Sequence, residues 1–187
     1  MSASERIADF SENVLVSIAP PSRVGLPRTV FLVGAISLFA DISSEMAYPL
    51  VPLLVTGALG APALVVGLIE GLAEVTIAAT SIAAGRASDR IGRVGFIRVG
   101  YLMPSIGKAI VALAGAWPVL LLGRVIDRTG KGLRGSARDA LLVDAVDPSM
   151  RGRAFGLHRA MDTAGAVIGV LGAVVFLYAY RDSPAPE

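Results

Sequence analysis

Apolar residues in this chain neither alternate nor keep to one helical stripe. They run in long blocks. A block of about twenty mostly apolar residues is what a helix needs to cross a hydrocarbon core roughly 30 Å thick. Four blocks of that kind stand near residues 29–59, 62–84, 95–116 and 157–180. The stretch 117–146 begins apolar, then carries Arg124, Asp127, Arg128, Lys131, Arg134, Arg138 and Asp139, and hydropathy alone rejects it as a span. The basic residues argue otherwise. Arg86, Arg90, Arg93 and Arg98 lie between the second and third blocks, Arg151, Arg153 and Arg159 around the start of the last, and Arg23 and Arg28 before the first. The connections near 56–62 and 114–118 carry no charge. Short cytoplasmic connections are rich in Lys and Arg. The basic connections share one side, and the uncharged ones the other, only if 117–146 also crosses. The pattern therefore predicts an all-α, polytopic transmembrane helix bundle of five spans, with a cytoplasmic N-terminus and Trp117 in the outer aromatic belt.

The flanks read differently. Residues 1–28 contain Glu5, Asp9 and Glu12, and their apolar run at 14–19 is shorter than a signal peptide needs. They are expected to form a cytoplasmic tail, either unstructured or with a short interfacial helix on Phe10, Val14 and Ile18. Residues 181–187 make a short polar end. Composition agrees with a membrane protein. The chain is 54% hydrophobic and 17% charged, where soluble domains run roughly 45–50% and about 25%. Mean hydropathy is +0.68. A net charge of +2 gives no footing for a nucleic-acid partner. Without Cys there is no disulfide or thiolate chemistry, and the single His158 cannot build a histidine metal site. No cofactor is expected.

Charged side chains at bilayer depth are costly, about 2.5–3.5 kcal/mol each on insertion scales, so they face the bundle interior and find partners. Asp41 and Glu45 share one face of the first span by their i, i+4 spacing, and Glu70 and Glu74 share one face of the second. Lys108 lies in the third. The fourth presents Asp127, Lys131, Arg134 and Arg138 on one broad face, with Arg124 and Arg128 beside it. Acids thus dominate two helices and bases the next two, which predicts interhelical ion pairs around a polar, partly wet cavity. Carboxylates in such a place can take up and release protons, and the cationic face suits an anionic substrate group. Gly67–Gly71 and Gly165–Gly169 are GxxxG spacings that let helices approach closely. Pro49 and Pro52 are expected to kink the first span.

The connection after the second span reads Gly85-Arg86-Ala87-Ser88-Asp89-Arg90-Ile91-Gly92-Arg93. Gly92 permits a tight turn, and Asp89 can cap a helix start or pair with an arginine. This stretch resembles the G-x-x-x-D-R-x-G-R signature of the major facilitator superfamily, with Val94 where another basic residue often follows. Arg124 to Gly130 is similar to that family's fourth-span motif R-x-x-Q-G-x-G, with Asp127 and Arg128 replacing Gln and Gly. Arg151-Gly-Arg153-Ala resembles its loop before span five. Gly165 to Val170 is similar to its antiporter motif G-x-x-x-G-P, with Val170 in place of Pro. The segments 41–50, 67–71 and 138–142 resemble bacterial members described as facilitator-type permeases or drug exporters.

The resemblance implies the N-terminal half of a twelve-span transporter working by alternating access. It implies a bilayer, a small-molecule substrate and protons as partners, residence in the inner (plasma) membrane, and no enzymatic activity. Asp41, Glu45, Glu70 and Glu74 are then candidates for proton coupling. Lys108, Arg124, Asp127, Arg128, Lys131 and Arg134 are candidates for the substrate cavity or its ion pairs. Gly85, Asp89, Arg90, Gly92 and Arg93 form a gating loop. Since the family fold needs more helices, the expectation is a fragment, a half-transporter completed by a second chain, or a non-transporting remnant. The alternative of a membrane head-group transferase would use Asp139, Asp144 and Asp147 to hold Mg²⁺.

Overall fold

The computed structural model describes residues 25–180. The expected tail up to residue 24 and the polar end at 181–187 lie outside the described residues. Helix α1, Arg28–Ala47, begins directly after Pro27 and stops at Tyr48. Pro49 has no N–H to continue the ladder, so the helix breaks and resumes as the one-turn α2, Leu50–Leu53, followed by a π-helical turn, Leu54–Ala58. The kink predicted from Pro49 and Pro52 is therefore a break with one widened turn. Gly60, at φ 61°, reverses the chain. Helix α3 spans Ala63–Ile91, α4 spans Arg93–Ala112, and α5 spans Trp117–Ala145 with Pro118 in its first turn. A 3-10 turn, Pro148–Met150, leads into α6, Arg151–Tyr180.

The motif at 85–93 is not a loop. Helix α3 carries it to Ile91, and the only break is Gly92 at φ 108°, a conformation that L side chains rarely adopt. Asp89 caps nothing, because Gly92 occupies the N-cap of α4 without a side-chain bond.

Among the described residues, four stretches are long and apolar enough to cross a membrane: Arg28–Ala58, Ala63–Arg90, Arg93–Ala112 and Pro148–Ala179. Helix α5 is not among them, for the reason its sequence gave. Its 29 residues reach about 43 Å at 1.5 Å per residue, enough for a span, but its middle is charged. Packing explains how a membrane bundle can hold it. The exposed faces of the other helices carry Phe31, Leu32, Phe39, Leu64, Val75, Leu102 and Val175, whereas Arg124, Asp127, Arg128, Arg134 and Arg138 of α5 are buried. The bundle is apolar outside and charged inside.

Glycines bring α5 close to its neighbours. A Cβ on Gly107 of α4 would stand 2.6 Å from the Gly123 carbonyl oxygen, and one on Gly123 2.7 Å from that of Gly107. Helix α1 packs on α6 in the same manner, through Gly165 against the Leu38 carbonyl and Gly169 against that of Ile42. The second GxxxG spacing is therefore a helix contact. The first is not, since Gly67 and Gly71 face open space. Apolar clusters close the two ends of the bundle: Val51, Val55, Ala61, Ile69 and Leu120 at one, and Val30, Leu142, Val146, Met150 and Ala154 at the other. The charged belt lies between them.

Candidate functional site

The belt is built on α5, whose 3.6-residue repeat turns successive charges toward different neighbours. Toward α3, Arg124 donates to both oxygens of Glu70, at 2.8 and 2.7 Å. Toward α4, Asp127 meets the Lys108 ammonium at 3.2 Å, and the same ammonium donates to Ser44 of α1. Toward α1, Lys131 lies 3.7 Å from Glu45 and Arg134 lies 3.5 Å from Asp41. Toward α6, Arg138 lies 3.7 Å from Asp162. Each of the four other long helices thus reaches α5 through an ionic contact. Burial without such partners would cost several kcal/mol per charge.

The cations are not all equally satisfied. Asp127 has three basic neighbours, since Arg124 and Arg128 approach it at 3.9 and 3.7 Å. Arg124 and Arg128 also lie over one ring, that of Tyr48 at the end of α1, at 5.6 and 6.0 Å. The Arg134 guanidinium stacks 4.8 Å from the Tyr101 ring. Cations over aromatic faces gain about 0.5–2 kcal/mol, which helps to hold them out of water.

Two cavities flank the belt. The larger, about 610 Å³, opens between α1, α3, α5 and α6 and is lined by four acids (Asp41, Glu45, Asp139, Asp162) and four bases (Lys131, Arg134, Arg138, Arg159). The smaller, about 180 Å³, is lined by Leu50, Val51 and Leu54 of the first span and by Lys108, Arg124 and Asp127. The site residues expected from sequence divide accordingly. Asp41, Glu45, Lys131 and Arg134 line the large cavity, and Lys108, Arg124 and Asp127 line the small one. Glu70 is held on Arg124, and Arg128 is buried beside Asp127. Glu74 joins neither cavity. It is exposed on α3 and has no ion pair or hydrogen bond among the described residues.

At the other end, Arg93 fastens α4 to both neighbours. It pairs with Asp89 at 3.3 Å and with Asp144 of α5, and it donates to the Ala140 carbonyl at 3.0 Å. A Cβ on Gly85 would stand 3.7 Å from that of Ser136, an ordinary contact distance, and Arg90 is exposed. Asp144 is therefore taken up by an arginine, as is Asp139, which pairs with Arg138 and Arg159. Among the described residues no group of three or more acidic or His side chains is placed to hold a metal ion.

Sequence reading missed a second tier. Ser37 of α1 is bonded to the Tyr101 hydroxyl at 2.9 Å, to His158 Nε2 at 3.2 Å and to Arg138 at 3.1 Å, tying α1, α4, α5 and α6 together. One signal was available: His158 and Asp162 are i, i+4 polar residues entering an apolar helix. A serine among apolar residues gives none.

Comparison with known proteins agrees with this architecture. The model of the family described as Major Facilitator Superfamily matches residues 33–181. An uncharacterised MFS-type transporter of Methanocaldococcus jannaschii is 35% identical over 153 residues, covering 81% of this chain and 38% of the relative. An uncharacterised protein of Mycobacterium tuberculosis is 34% identical over 161 residues, covering 85% and 39%. The multidrug resistance protein MdtH of Cronobacter sakazakii is 36% identical over 137 residues, covering 73% and 34%. The chain spans somewhat over a third of the length of these relatives.

Proposed function

The chain belongs to the major facilitator superfamily, and from that premise we propose that it forms one wall of a proton-coupled secondary transporter. In this reading five helices cross the inner membrane, α5 included, with the N-terminus in the cytoplasm. The large cavity is one wall of the substrate pathway, and further chain or a second protein covers its open side. The observation that carries the reading is the cavity itself. Eight ionisable side chains line it between the long helices, and charges set among membrane-spanning helices mark substrate, ion or proton pathways. Its volume of about 610 Å³ lies in the range of small-molecule sites, roughly 300–1,000 Å³. The multidrug resistance relative supports an exported, drug-like organic molecule as the cargo.

Ion pairs of this kind suit alternating access. Five of them join α5 to another helix, so rocking of one group of helices against another exchanges partners without leaving a bare charge. A proton on Asp41 or Glu45 would release Arg134 or Lys131 to the substrate. Asp89, Arg90 and Arg93 act in this scheme on the conformational step, since Arg93 clamps the ends of α3, α4 and α5.

The test is reconstitution into liposomes containing a pH-sensitive dye. Asp41→Asn is expected to abolish substrate-driven proton movement in a correctly inserted protein. Unchanged proton movement in that variant would contradict the role of Asp41.

A further inference from the structure

Of the carboxylates around the large cavity, Asp162 is the one whose cation among the described residues is shared with another carboxylate and not supplemented by a second. It accepts no hydrogen bond, and its Oδ1 is buried without a partner. The only cation within 4 Å among the described residues, Arg138 at 3.7 Å, also bonds Ser37 and Asp139. One turn earlier on α6, His158 is fully buried, and its Nδ1 lies 3.4 Å from Asp162 Oδ2, likewise without a hydrogen bond. Two of the unpartnered buried polar atoms therefore belong to one i, i+4 pair. A buried ionised carboxylate left without hydrogen bonds is costly, and one proton between Nδ1 and Oδ2 gives the ring nitrogen a partner and removes the carboxylate's charge.

We propose that His158 and Asp162 together hold one exchangeable proton and are the proton-loading site of the cavity. The proposal rests on the proton-coupled reading above and places a loading step at this pair, ahead of the partner exchange at Asp41 and Glu45 in the same cavity. Asp162 lines the cavity and His158 stands behind it, so the proton enters through the carboxylate. With the proton present, either Asp162 is a neutral acid donating to Nδ1 or His158 is an imidazolium donating to the carboxylate, and the pair is neutral. Without it the pair carries one negative charge, which Arg138 faces.

The serine behind the ring can accept either state. A hydroxyl has one donor and two acceptor positions. Arg138 always donates to Ser37. If Nε2 is bare, Ser37 donates to it and accepts from Tyr101. If Nε2 carries a proton, Ser37 accepts from it and donates to Tyr101. No hydrogen bond is lost in either arrangement, so the proton can move without reorganising four helices. The other charged and titratable groups facing the pair are Asp41 from α1, Arg134 and Asp139 from α5, and Arg159 from α6 itself.

His158 is the only histidine of the chain, so ¹⁵N-histidine labelling gives the resonances of one imidazole, provided that the purification tag contains none. The experiment is a pH titration of those resonances in the detergent-solubilised full chain and in Asp162→Asn. The expected result is that the ring titrates and that Asp162→Asn moves its midpoint by at least one pH unit, a change of about tenfold in proton affinity. A midpoint that does not move, or a ring that titrates in neither protein, overturns the proposal. A second reading needs no variant. Below the titration, the wild-type ring is expected either as the imidazolium or as the Nε2–H tautomer with Nδ1 accepting from Asp162, and a neutral ring with Nδ1–H there contradicts the shared proton. Neither measurement depends on transport. A coupled titration without proton movement in liposomes would sink the transporter reading alone, and proton movement without the coupled titration would sink this pair alone.

Discussion

At the level of single residues, the belt depends on partners that differ in how deeply they are enclosed. Arg124 is 6% exposed and its partner Glu70 is 19% exposed. Removing one member of a buried pair leaves a bare charge and costs about 3–5 kcal/mol. The more enclosed survivor should suffer more. Glu70→Leu, which strands Arg124, is expected to lower thermal stability in detergent more than Arg124→Met, which leaves a partly exposed Glu70. The double replacement should recover part of the loss. A double-mutant cycle with no coupling, or with Arg124→Met the worse variant, would show that Asp127 and Tyr48, rather than Glu70, hold Arg124.

Among helices, small residues decide which pairs touch, and here two identical spacings separate. A leucine at Gly169 has its Cβ 2.6 Å from the Ile42 carbonyl oxygen, a backbone atom that cannot swing away, while Gly67 has open space before it. Overpacking of this kind costs about 1–3 kcal/mol. Gly169→Leu is expected to lower the melting temperature of the solubilised protein clearly, and Gly67→Leu to leave it nearly unchanged. A loss equal for both would contradict the pairing of α1 with α6. The contrast also marks what could be read from sequence. The break at Pro49 and the turn at Gly92 follow from backbone chemistry that each residue carries with it. The choice between two GxxxG stripes does not, because spacing says that a face is flat and not what lies on it. The extension of α3 through Gly85 and Asp89 escaped for a related reason: charged residues at a helix end look like a loop.

For the whole molecule, charge sorting was the informative signal. Acids on the first two spans and bases on the next two predicted pairs between helices, and Asp41 with Arg134, Glu45 with Lys131 and Glu70 with Arg124 are such pairs. Glu74 fits the same pattern and has no partner among the described residues, so sorting by helix does not give depth or rotation. Ser37 and Asp162 were invisible to it, since a hydroxyl carries no charge and Asp162 lies outside the four helices that showed the pattern.

The central claim is that α5, charged as it is, crosses the membrane as the inner helix of the bundle. The native chain has no cysteine, so single cysteines placed at the exposed Gly115 and Ser149, one before α5 and one after it, can be labelled in intact cells with a membrane-impermeant maleimide. Gly115→Cys is expected to react from outside, and Ser149→Cys only after the membrane is opened. Reaction of both from the same side would mean that α5 does not cross, and the cavity described here would not be a wall of a transport pathway.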